Sequence, residues 1–112
     1  MKFLEDKMLV LVFEPGNVVF TKKVGGSLKS LQEIIGADYI RTGKAVIKFR
    51  KAQYFIGPEY SVVYDRLGLL NGKVENRGYY GTFFICKNNG LVLEGLTKQE
   101  IELIMEELGG VR

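Results

Sequence analysis

From Met8 to Phe13 the chain reads Met-Leu-Val-Leu-Val-Phe without a polar residue. The run is rich in strand formers and far too short to span a bilayer. A strand with apolar side chains on both sides has to be covered on both sides, so this run predicts a central strand. Tyr79 to Lys87 reads as a second near-continuous apolar strand. Its one interruption, Gly81, marks a bulge or a close packing point.

Turn and cap chemistry divides the rest. Glu14-Pro15-Gly16-Asn17 combines a preset φ with a residue that accepts positive φ, so Val18 to Val24 should return antiparallel to the first strand. Gly25-Gly26 breaks that strand, and the Ser27 hydroxyl can cap the helix that follows. Leu28, Leu31 and Ile35, widened by Ile34, give one apolar face, and Gly36 is the natural stop. The first helix is therefore predicted over Leu28 to Ile35. Tyr39-Ile40-Arg41 reads as a short strand before a Thr42-Gly43 turn.

Ala45 to Phe49 alternates. Ala45, Ile47 and Phe49 point one way, and Lys44, Val46, Lys48 and Arg50 the other, which puts three basic side chains on one outward face. Tyr60 to Asp65 is strand-like, Asn71-Gly72 is a turn, and Asn88-Asn89-Gly90 turns the chain back through Leu91-Val92-Leu93. Thr97-Lys98-Gln99-Glu100 is a capping box, flanked by a Leu96–Ile101 staple. Ile101, Ile104, Met105 and Leu108 form the stripe of a second helix, which Gly109-Gly110 ends. The expectation is one α+β domain over residues 1–112: a mostly antiparallel sheet with two helices packed on it.

Composition bears mainly on what the chain does not do. There is no histidine, which removes histidine-based acid–base chemistry and His-dependent zinc sites. Cys86 is the sole cysteine, lies in an apolar strand and reads as a packing residue. Glu14, Glu59, Asp65 and Glu75 share no motif and read as solvated turn residues. Gly25-Gly26-Ser27 precedes a helix, but no phosphate-loop pattern occurs anywhere. No catalytic residue, metal site or cofactor is therefore expected, and the chain reads as a non-enzyme. The N-terminal residues lack a signal-peptide pattern and no apolar run could cross a membrane, so a cytoplasmic protein is expected.

Net charge is +3, unevenly spread. Lys22 to Lys51 is basic, whereas the last helix carries Glu100, Glu102, Glu106 and Glu107. Basic residues beside aromatics can hold phosphates, stack bases or dock on an acidic protein surface. The candidate partner-binding residues are thus Lys44, Lys48, Arg50 and Lys51, with Tyr54 and Arg77 as second choices. In the simplest account Asn76-Arg77 is a turn with an exposed arginine.

The order of motifs has a counterpart. Glu14-Pro15-Gly16, then Ser27-Leu28-Lys29-Ser30-Leu31-Gln32-Glu33-Ile34-Ile35-Gly36, Tyr64-Asp65-Arg66-Leu67-Gly68-Leu69-Leu70-Asn71-Gly72, Asn76-Arg77 and Gly81-Thr82-Phe83 occur in turn. This pattern resembles a family of short, largely uncharacterised proteins from phages and mobile elements of Gram-positive bacteria. The chain departs from it at Ala37, where a second glycine is common, and at Arg66, where an acid is common. The resemblance implies an anti-defence protein that works by binding, and some members of this broad group look like anti-CRISPR inhibitors of the type II effector nuclease. The implied partner is a host defence protein, such as that nuclease with its guide RNA, in the bacterial cytoplasm. Two alternatives stay open: a sponge for a nucleotide immune signal, holding phosphates with Lys48, Arg50 and Arg77, and a small nucleic-acid-binding regulator.

Overall fold

A computed structural model describes residues 7–49, 52–90 and 92–108. The elements in chain order are β1 (Lys7–Phe13), β2 (Phe20–Gly25), α1 (Leu28–Ile35), β3 (Ile40–Lys44), β4 (Val46–Phe49), β5 (Ala52–Phe55), β6 (Tyr60–Asp65), β7 (Glu75–Asn76), β8 (Tyr79–Tyr80), β9 (Phe83–Asn88), β10 (Leu93–Glu94) and α2 (Lys98–Glu107). The main sheet runs β2-β1-β9-β6-β3, with β10 added to β9, and all its pairings are antiparallel. β4 and β5 form one separate hairpin and β7 and β8 another. The fold class is α+β, as the sequence predicts.

The apolar run of β1 is covered on both faces. Met8, Val10 and Val12 join Val24, Val63, Phe84 and Cys86 under α1, which contributes Leu31 and Ile35. Leu11 and Phe13 face the other way, with Val62, Phe83 and Ile85, and meet Ile104 and Leu108 at the α2 end of the chain. That second face is also covered by Ala45 and Ile47 from the start of the β4–β5 hairpin. Each fully buried Val, Leu, Ile or Phe contributes roughly 1.5–3 kcal/mol relative to exposure, so two filled faces suffice to hold a short chain together.

The caps behave as their residues dictate. The Ser27 hydroxyl accepts from the Ser30 amide at 3.1 Å, and Gly36 takes the left-handed conformation that ends α1. At α2 the Thr97 hydroxyl accepts from the Glu100 amide while Glu100 accepts from the Thr97 amide. Leu28, however, is exposed, because α1 turns Leu31 and Ile35 to the core, with Ile34 packed beside them.

Four expectations need correction. Thr42-Gly43 is not a turn: it lies inside β3, opposite Val63 and Val62, held extended by the ladder to β6. Lys44 and Lys48 do not share one strand, since the chain bends at the fully buried Ala45, which ends the main sheet and starts the hairpin. Tyr79 to Lys87 is not continuous, because Gly81, at φ +91°, splits β8 from β9 and sends them to different sheets. Ala52–Phe55, for which no element was expected, is a strand. Arg50, Lys51, Leu91 and the Gly109-Gly110 stop lie outside the described residues.

Candidate functional site

The hairpin that carries Lys48 has an inner and an outer face. Register pairs Ile47 with Tyr54, and both pack on the core, so Tyr54 stands on the face opposite Lys48 and faces inward. Lys48 pairs with Gln53 and Val46 with Phe55, which makes these four the outer face. Lys48, Gln53 and Phe55 are exposed there, Phe55 by 51%.

The β7–β8 turn abuts the free edge of β4. The Lys48 amide donates to the Arg77 carbonyl at 2.9 Å, and the Tyr79 hydroxyl donates to the Val46 carbonyl at 2.8 Å. Val46, Lys48, Gln53, Arg77, Gly78 and Tyr79 thereby line an open cleft of about 260 Å³. Two of the six candidate residues, Lys48 and Arg77, meet in it. Lys44 lies exposed at the end of β3, across the bend at Ala45.

Arg77 is not the exposed turn arginine of the simplest account. It is half-buried, holds a positive φ of 52°, and its guanidinium carbon lies 5.7 Å from the centroid of the Phe13 ring. That distance allows a cation–π contact. Burial lowers its pKa from the ordinary arginine value, yet an arginine stays charged. Beneath it runs a chain of rings: Phe13 stacks on Phe83 at 4.7 Å, Phe83 meets Tyr79 at 4.7 Å, and Tyr79 meets Tyr64 at 4.8 Å. Burial, and secondarily Tyr64, pushes the Tyr79 hydroxyl up to about 12, so it acts as a neutral donor.

Asn76 positions this turn. It is buried, and its amide donates to the Phe13 carbonyl at 3.0 Å and the Gly81 carbonyl at 2.9 Å. Glu75 accepts from the Gly78 amide at 3.0 Å. The cationic cleft is thus set on a braced support, which lowers the entropy lost when a partner binds.

Other reactive groups have structural roles. Asp65 is buried, contrary to the solvated reading, because Lys73 reaches it at 2.8 Å and the Leu67 amide donates to it at 2.9 Å. Burial alone would raise its pKa, but these contacts outweigh burial and hold it below the ordinary value. Lys73 also donates to the Gly36 carbonyl at 2.9 Å, tying the 66–73 loop to the end of α1. Glu100 accepts from Tyr60 and pairs with Lys87 at 3.1 Å besides its capping role. Burial pushes the Cys86 thiol up to about 12, which fits a packing residue. Among the described residues no group of three or more Cys, Asp or Glu could hold a metal ion. No helix of the described residues is long and apolar enough to cross a membrane.

A larger open cleft, about 470 Å³, lies at the end of α1 between Lys29, Glu33, Asp38 and Asn71. Its charges are mixed, with no pairing that suggests chemistry. No known protein family, curated protein or solved structure matches this chain.

Proposed function

We propose that this chain is a non-enzymatic binding protein that acts against a bacterial defence system, docking through its basic face on an acidic surface of a type II CRISPR effector nuclease. The observation that carries the binding role is the braced cationic cleft, where Lys48 and Arg77 meet beside the exposed Phe55. The defence target rests on the motif resemblance in Ser27 to Gly36 and Asn76 to Phe83. An exposed aromatic near an arginine is a combination enriched at protein interfaces.

The test is a pull-down with effector nucleases, with and without guide RNA, alongside a DNA-cleavage assay. Capture and loss of cleavage are expected. Lys48→Glu should weaken both while leaving the fold intact, because surface changes usually cost within about 0.5 kcal/mol. Neither capture nor inhibition across several type II enzymes would sink the proposal.

Convergence of Lys48, Gln53 and Arg77 on one cleft favours a second reading, capture of a phosphate-bearing nucleotide signal. The cleft is open, whereas small ligands usually bind in enclosed pockets, so a second subunit would have to supply the missing wall. Thermal-shift measurements with cyclic dinucleotides and ADP-ribose derivatives separate the two. A ligand at about 100 times its Kd adds roughly 3 kcal/mol of stability. No shift with any nucleotide rejects this reading.

A further inference from the structure

The two edge strands of the main sheet, β2 and β3, differ in how their charges are spaced. β2 presents Phe20, Thr21, Lys22 and Lys23 in succession, the last three exposed. Charged side chains on an edge strand are a common guard against another strand adding there. β3 carries Arg41 and Lys44, both also exposed, but Gly43 stands between them.

Among the described residues nothing requires glycine at that position. Gly43 is not among the residues with positive φ. A Cβ placed on it would meet only a Tyr64 ring carbon, at 3.9 Å, which is ordinary contact. Glycine within a strand weakens it, through extra backbone freedom and a missing packing surface. What glycine permits is close approach from outside. Register places Gly43 opposite Val62 and Arg41 opposite Tyr64, all on the face of the sheet that α2 covers. The edge therefore has a notch floored by the Tyr64 ring and flanked by Arg41.

We propose that β3 is a docking edge that takes an extended, acidic segment of a protein partner as an added strand. Main-chain hydrogen bonds along β3 hold the segment, the notch at Gly43 takes one of its apolar side chains, and its carboxylates meet Arg41 on one face and Lys44 on the other. An acidic segment is the occupant because both exposed charges of the edge, Arg41 and Lys44, are cations. The inference rests on the reading that this chain binds an acidic protein surface, and it adds how that surface attaches.

The experiment is hydrogen exchange on the full chain with short synthetic peptides built on Glu-Val-Thr-Glu or Glu-Tyr-Thr-Glu, whose antiparallel pairing sets the carboxylates against Lys44 and Arg41 and the apolar residue against Gly43, compared with the same peptides with Lys for Glu. The expected result is slowed exchange across Ile40–Lys44, unchanged exchange across Phe20–Gly25, and at least roughly tenfold weaker binding of the Lys peptides. Gly43→Val should fill the notch and abolish protection, and Arg41→Glu with Lys44→Glu, a surface change that preserves the fold, should do the same. No protection of β3, equal protection by the Lys peptides, or undiminished binding by both variants overturns the proposal. Protection lost with Lys48→Glu but kept in Gly43→Val would move the contact to the cleft, overturning strand addition and sparing the parent reading. Capture failing for every effector while acidic peptides still protect β3 would remove the defence target and keep the edge.

Discussion

Replacing Lys73 by methionine tests how the 66–73 loop is held. The substitution keeps most of the apolar stem and removes the ammonium, which contacts Asp65 at 2.8 Å and the Gly36 carbonyl at 2.9 Å. Breaking a buried ion pair typically costs 3–5 kcal/mol, because the surviving charge is stranded. Two features reduce that here. The Lys73 side chain is 25% exposed, so solvent already screens the pair, and Asp65 keeps its bond from the Leu67 amide. We expect a loss of about 2–3 kcal/mol at pH 7, measured by urea unfolding with an unchanged m-value. The pH dependence fixes the cause. In the native chain the Asp65 pKa is depressed, so its contribution is complete above the unfolded value and is lost as pH falls through the folded one. Without Lys73 that pKa rises relative to the native chain, so the stranded carboxylate picks up a proton sooner as pH falls. The gap between the two proteins should therefore narrow from pH 7 toward about pH 4. Asp65→Asn in the Lys73→Met background should recover at least half of the loss. A loss under about 1 kcal/mol, or a gap independent of pH, would refute this account.

Ile47→Ala should cost roughly 2–5 kcal/mol in the same unfolding assay, as a truncation of a fully buried side chain. Thr97→Ala removes the hydroxyl that caps α2 and should cost about 1 kcal/mol, with Thr97→Ser recovering most of it. Cys86, fully buried with its thiol pushed up to about 12, should stay unreactive toward a thiol reagent at pH 8 until urea unfolds the chain. Asn76→Ala leaves the Phe13 and Gly81 carbonyls short of a donor and should cost about 1–3 kcal/mol while loosening the turn that carries Arg77, seen as faster amide exchange there.

Helix caps, apolar stripes and strand alternation depend on neighbours a few positions away, and they were legible in the residues themselves. Ser27 and Gly36 bounded α1, Thr97 and Glu100 started α2, and the unbroken apolar run of β1 required cover on both faces. The same alternation placed Ile47 inside and Lys48 outside. Alternation also had something to say about Ala52–Phe55, where Gln53 and Phe55 are exposed and Tyr54 is packed, but a four-residue strand is a weak signal. What packs against what was not legible, because the deciding contacts join distant parts of the chain. Thr42-Gly43 has turn chemistry, yet the ladder to β6 holds it extended. Asp65 looks like a turn acid until Lys73 lets it be buried. Asn76 looks like a loop residue until the Phe13 carbonyl, 63 positions away, gives its amide a buried partner. Lys48 and Arg77 share a cleft only because the Lys48 amide and the Tyr79 hydroxyl join the β7–β8 turn to β4, and hydrogen bonds between segments so far apart leave no period or spacing in the sequence.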